Sequence, residues 1–190
     1  MKLVLGSRNS HKLQELSSLL APHQLLPLPD GIALPDERGQ SFSDNALEKA
    51  RATAGATAIP ALGEDSGIAV RALGGAPGVR SARYAGENAS DADNLVKLLF
   101  EMERYEDRAA AYVCALALAM PGGDGKVFEA SCAGELARAP RGTGGFGYDP
   151  IFMPSEGASR GLTMAELAPD QKNAMSHRGK AARLLLEWLS

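Results

Sequence analysis

Residues 108–136, RAAAYVCALALAMPGGDGKVFEASCAGEL, read as two long apolar strands joined by a glycine-rich turn centred near Gly123. A hairpin of this length commits the chain to an antiparallel strand pair. Upstream, Lys2 to Leu5 reads as a short buried strand, and Leu13, Leu16, Leu19 and Leu20 then recur at helical spacing. A strand near Gln24 to Leu28, a helix opening at SFSDNALEKARA and running to about Ala58, and a strand from Gly67 to Ala72 follow. A helix with the stripe Leu95, Leu98, Leu99 and Met102, and a last helix from near Ser176, complete the series. Helices and strands mix without strict alternation. The pattern therefore predicts an α/β fold with a mixed central β-sheet flanked by helices, rather than a doubly wound parallel sheet.

A chain of 190 residues, 45% of them hydrophobic, suits one domain spanning 1–190, with room for two lobes. No segment approaches the ~20 apolar residues needed to cross a bilayer. The apolar opening KLVL is cut short by GSRNSHK, too early for a secretory signal, so no membrane partner and a cytoplasmic location are expected. A net charge of -3 argues against a nucleic-acid partner, because phosphate-backbone binders carry a basic excess. Cys114 and Cys132 lack metal-ligand spacing and read as reduced core residues facing each other across the hairpin.

The chemistry concentrates in four places. ALGEDSGIAV sets Glu64 and Asp65 side by side in small and apolar surroundings, where a carboxylate must be paired, hydrogen-bonded, protonated or metal-bound. With Ser66, and with Asp44 joining from the next motif, they offer hard oxygens suited to Mg2+, which takes the rest of its shell from water and substrate phosphates. In an extended strand the two acids point to opposite sides, and Asp65 is then the preferred ligand. An exposed EDSG turn is the alternative. In SDNALEKA, Asn45 and Lys49 share a helix face, which is either part of a site or a solvated surface. GSRNSHK places a turn before a helix N-terminus, with Ser7, Asn9 and Lys12 as donors for an anion, or simply as a capped helix start. GTGGFGYDPIF offers Phe146 or Tyr148 as a flat face for a base, against the alternative of a packed hairpin. Beside it belongs SHRGKA, where Arg178 can only donate and so favours a base with an oxygen acceptor. His177 also fits a plain helix start. The long irregular connection LGGAPGVRSARYAGE has the composition of a loop bordering a site.

Taken together, SRNSHK, SFSDNALEKA, EDSGIAV, LGGAPGVRSARYAG, GTGGFGYDPIF and SHRGKA, in that order, closely resemble the inosine triphosphate pyrophosphatase family of nucleotide-pool hydrolases. The resemblance implies hydrolysis of non-standard purine nucleoside triphosphates (ITP, dITP, XTP) to the monophosphate and pyrophosphate. It also implies a two-lobed mixed α/β fold around a cleft, Mg2+ dependence and a homodimer. Carried over by position, it makes Ser7, Arg8, Asn9, Ser10, His11 and Lys12 the triphosphate loop and Asp65 the general base and metal-linked acid. Ser66 and Lys49 would contact substrate, and Phe146, Gly147, Tyr148, Asp149, Lys172, His177 and Arg178 would hold the nucleotide and read its base. Two positions depart from the family pattern: Asp44 stands where glutamate is usual, and Gln171 where an acid precedes the lysine. A related pyrophosphatase for pyrimidine or modified nucleotides, and a non-catalytic nucleotide-binding module, are the competing readings. The Glu64-Asp65 pair disfavours the second.

Overall fold

The computed structural model describes residues 1–37, 39–157 and 161–190. Its elements are β1 (Lys2–Gly6), α1 (Ser10–Leu19), β2 (Gln24–Leu26), α2 (Phe42–Thr57), β3 (Ala61–Val70), α3 (Asp91–Met102), β4 (Ala109–Ala119), β5 (Gly125–Leu136), β6 (Phe152–Pro154), α4 (Pro169–Met175) and α5 (His177–Leu189). Among the described residues six strands join in the order β2-β1-β3-β4-β5-β6. β1 runs parallel to β2 and β3, whereas β5 and β6 are antiparallel, so the expected mixed sheet is present. Among the described residues no helix is long and apolar enough to cross a membrane.

Two elements differ from the sequence expectation. β3 starts at Ala61 rather than Gly67, so Glu64 and Asp65 lie inside a strand and not in a turn. α4 was not expected; it is 7 residues long with Lys172 its one buried residue, and so it carries no apolar stripe to detect. The LGGAPGVRSARYAGE connection folds largely as two 3-10 turns, Arg71–Leu73 and Gly78–Arg83. Cys114 and Cys132 are buried, unbridged thiols in different core clusters rather than a facing pair.

The chain divides into two compact units. The first comprises Met1–Asp65, Cys114–Ala130 and Arg178–Ser190; the second comprises Ser66–Val113 and Ser131–His177. In the first unit strand alternation sorts the core onto two faces. Leu3, Leu5, Leu62 and Leu116 pack with Leu16 of α1, Leu20 at its C-terminal cap, and Ala181 and Leu185 of α5. Val4, Ala61, Ala115 and Ala117 pack with Ala46, Ala50 and Ala54 of α2. That second face is built from small side chains, and the helix lies close. A Cβ on Gly63 would sit 1.9 Å from the Ala46 carbonyl oxygen and 2.6 Å from the Ala50 nitrogen, so only glycine permits this approach.

The second unit is built around Ile68, Val70, Tyr112, Cys132, Ile151 and Phe152, with Leu95, Leu98 and Met102 from α3. α3 begins with the expected capping box, Ser90 accepting from the Asp93 N–H and Asp93 from the Ser90 N–H.

Candidate active site

The close packing of α2 on β3 decides what surrounds Asp65. Asn45 and Lys49, flanking the alanines that touch Gly63, both reach the carboxylate. Asn45 Nδ2 donates to Oδ2 at 2.9 Å, and Lys49 Nζ lies 3.4 Å from Oδ1. Asp65 is 4% exposed. Burial pushes its carboxyl upward, the Lys49 charge and the Asn45 hydrogen bond pull it down, and the Glu37 charge pushes up again; the net shift is upward. Lys49 also donates to Glu37 Oε1 at 2.8 Å. Burial would lower the Lys49 ammonium, but Asp65 and Glu37 outweigh it and hold it above the ordinary lysine value. One ammonium thus lies between two carboxylates.

Glu37 is a residue the sequence reading missed. It sits in the loop LPDERG before α2, outside any periodic element, where a single acid carries no pattern to separate it from a solvated one. Asp44 lies in the first turn of α2 and is exposed. Its carboxylate accepts from Ser41 Oγ at 2.7 Å at the N-terminus of α2.

Glu64 faces the other side of the strand, as alternation requires, and is fully buried. Lys12 Nζ lies 2.5 Å from Oε2, and Arg178 Nη2 donates to Oε1 at 2.9 Å. The Cys114 thiol is 3.6 Å from Oε1. Burial would raise the Glu64 carboxyl, but the Lys12 and Arg178 cations hold it well below the usual carboxylate range. The charge of Glu64 is therefore settled by two protein cations. Arg178 is 1% exposed, and its Nη1 donates to Glu15 Oε2 at 2.6 Å, so most of its donor edge is engaged. Glu15, three residues beyond Lys12 on α1, is a second acid the sequence reading passed over.

The Ser7 to Lys12 stretch forms the turn from β1 into α1. Asn9 caps the helix by accepting from the Lys12 N–H at 3.1 Å, and Ser7 Oγ accepts from the Asn9 N–H at 3.2 Å. Arg8 bonds the Ile32 carbonyl, and Ser10 and His11 are exposed. A capped helix start and an anion loop are compatible here, since capping leaves other N-terminal N–H groups pointing outward.

The second unit gathers the other predicted residues. Asp149, 3% exposed, accepts from Lys172 Nζ at 2.7 Å, from the Phe146 N–H at 2.9 Å and from Tyr112 Oη at 3.2 Å. Gly145 has φ +70, and a Cβ there would sit 2.0 Å from Asp149 Oδ2, which explains the glycine in this turn. Lys172 Nζ lies over the Phe146 ring, 5.1 Å from its centroid. Phe146 is half-buried. Tyr148 is buried, and its hydroxyl donates to the Ser81 carbonyl at 2.8 Å, so it anchors the turn instead of offering a face. His177 stacks on Tyr112 at 4.5 Å, nearly parallel. Asp91, in the first turn of α3, accepts from the Gly147 N–H at 2.8 Å and ties the glycine-rich turn to that helix. Ser66 opens the second unit within β3. Gln171 Oε1 accepts from the Ala168 N–H at 3.0 Å, a capping role at α4.

Among the described residues no three His, Cys, Asp or Glu side chains are gathered to hold a metal ion. Glu37 and Asp65, two hard-oxygen donors around one ammonium, match an ion that takes only one or two carboxylates from protein.

Residues 3–188 match the sequence profile of the Ham1 family. A dITP/XTP pyrophosphatase of Geobacter sulfurreducens is 50% identical over 194 aligned positions, covering 99% of this chain and 96% of its own. The dITP/XTP pyrophosphatase of Thermus thermophilus is 48% identical, covering 98% and 91%. Among solved structures, a HAM1 protein from Coxiella burnetii superposes with a TM-score of 0.88 at 42% identity over 100% of this chain and 98% of that one. A nucleoside-triphosphatase / dITP/XTP pyrophosphatase from Mycobacterium abscessus gives 0.75 at 45% identity, covering 98% and 99%. The resemblance carried by the six motifs therefore extends along nearly the whole length, and the chain belongs to the Ham1 family.

Proposed function

We propose that this protein hydrolyses non-standard purine nucleoside triphosphates, dITP, XTP and ITP, to the nucleoside monophosphate and pyrophosphate. The observation that carries the reading is Asp65: a buried carboxylate held above its ordinary value by burial, with one carboxamide, one ammonium and a second acid around it. A structural ion pair needs no such surplus of acid over base, whereas a general base and phosphate-side acid does. Relatives named dITP/XTP pyrophosphatase at about half identity support the substrate class.

In this reading Asp65 orients the attacking water and takes its proton, while Asn45 fixes the carboxylate's rotation. Lys12 and Lys49 bind phosphate oxygens, together with the outward N–H groups of the Ser7 to Lys12 turn. In the second unit Phe146 supplies the stacking face, and Asp149 and Lys172 hold its turn in shape. His177 is the residue of this unit whose ring N–H would favour a 6-oxo purine over adenine, because an amino group there leaves a donor unmatched. Glu37 and Asp65 would hold a divalent cation, for which we favour Mg2+; when bound it neutralises phosphate charge. Homodimerisation and a cytoplasmic location are part of the same proposal, on the strength of the family resemblance.

The test is product analysis. With dITP and Mg2+ the expected products are dIMP and pyrophosphate, with dATP turned over at least roughly a hundredfold more slowly. Orthophosphate as the sole inorganic product would refute the bond assignment.

A further inference from the structure

We propose that Glu64 is a positioning residue that aims Lys12 at the substrate's phosphates, and that it does not belong to the metal's donor set; this rests on the phosphohydrolase reading above. The geometry is a ring within the first unit. Lys12 Nζ lies 2.5 Å from Glu64 Oε2, Glu64 Oε1 takes Nη2 and Nε of Arg178 at 2.9 and 3.3 Å, and Arg178 Nη1 donates to Glu15 Oε2 at 2.6 Å. Lys12 and Glu15 stand one turn apart on α1, so the ring closes through the helix itself. Two carboxylates and two cations alternate around it, and it needs no external ion to balance.

The members differ in access. The side chains of Glu64 and Arg178 are 0% and 2% exposed, whereas those of Lys12 and Glu15 are 15% and 18% exposed. Each oxygen of the sealed Glu64 carboxylate has a protein cation within ion-pair distance, Lys12 at Oε2 and Arg178 at Oε1, and dismantling those contacts to admit a metal would strand buried charge. Lys12 is the cation of the ring that reaches the surface. A lysine stem is otherwise free among many rotamers. Gripped by a carboxylate that Arg178 itself immobilises, its ammonium keeps one direction and has remaining N–H groups for phosphate.

A double-variant cycle with Glu64→Gln and Lys12→Met tests this, read by calorimetric binding of inorganic tripolyphosphate without metal and by the Mg2+ concentration for half-maximal dITP turnover. Each single variant is expected to weaken tripolyphosphate binding about tenfold or more, and the double variant to bind within about twofold of Lys12→Met alone. The Mg2+ midpoint of Glu64→Gln is expected to stay at the wild-type value. Losses that multiply in the double variant, or unchanged tripolyphosphate binding with a raised Mg2+ midpoint, would overturn the proposal. So would a wild-type protein that does not bind tripolyphosphate. If Glu64→Gln does not fold, Glu64→Asp keeps the charge and shortens the reach. It should bind tripolyphosphate more weakly with an unmoved Mg2+ midpoint, and wild-type affinity would contradict the positioning role. Because tripolyphosphate binding requires no turnover, a wild-type protein inert toward dITP would defeat the functional reading while leaving this cycle readable.

Discussion

Asp65 and Glu64 are neighbours with opposite electrostatic fates, and each fate follows from what its side of the strand packs against. Glu64 meets Lys12 and Arg178 and is held well below the usual range, while for Asp65 burial outweighs Lys49 and Asn45. The signs give opposite pH behaviour in metal-free protein. A depressed carboxyl such as Glu64 contributes stability that is complete above its unfolded value, about 4.3, and is lost as pH falls through its lower folded value. Asp65, being raised, favours folding below its unfolded value, and that contribution is lost as pH rises through its folded value. Chemical denaturation in EDTA should therefore show stability falling on acidification below the carboxylate range in wild type, and a visibly shallower fall in Glu64→Gln. Equal slopes would remove Glu64 from its role. The same reasoning expects Asp65→Asn to melt no lower than wild type at neutral pH while its kcat falls by roughly 10²–10⁴. At this scale the sequence was informative where residue type alone limits the chemistry, as with two acids in an apolar run. It was silent on Glu37 and Glu15, whose importance comes only from what folding places beside them.

At the scale of elements, the approach of α2 to β3 is set by Gly63 and the alanines facing it. Gly63→Ala forces a methyl into the Ala46 carbonyl and should cost about 1–3 kcal/mol by denaturant titration. Turnover should fall as well, because Asn45 and Lys49 move off Asp65 with the helix. An unchanged kcat would mean that this spacing does not set the site. In the second unit Asp91 holds the Gly147 N–H, so Asp91→Ala should raise KM for dITP by roughly threefold to tenfold through a looser Phe146 turn, while tripolyphosphate binding stays at the wild-type level. The long amphipathic helices were readable from their stripes and capping residues, since α3 repeats Leu95, Leu98 and Met102 behind a capping box. β3 was shortened because Gly63, Glu64, Asp65 and Ser66 have poor strand propensity, which packing on α2 overrides. α4 was missed because seven residues give no period to recognise.

For the molecule as a whole, the charge balance within the first unit bears on metal removal. Glu64, Asp65 and Glu37 each have a protein cation within ion-pair distance, so chelation should abolish turnover of dITP yet leave the circular-dichroism spectrum unchanged. Loss of helical signal in EDTA would show that folding depends on the ion. The mixed sheet was legible because a long hairpin and parallel strand–helix units coexist in one sequence, and β1 lies between β2 and β3, parallel to both. Which residues share each compact unit was not legible, because β3, β4 and β5 each contribute to both. Thus Arg178 follows His177 in sequence but packs with Glu64 and Glu15, while His177 stacks on Tyr112. Hydrolysis of dITP in water enriched in oxygen-18 addresses the central claim, that Asp65 directs water to the α-phosphorus. The label is expected in dIMP, with none in pyrophosphate; label in pyrophosphate would place the attack on the β-phosphorus and contradict it.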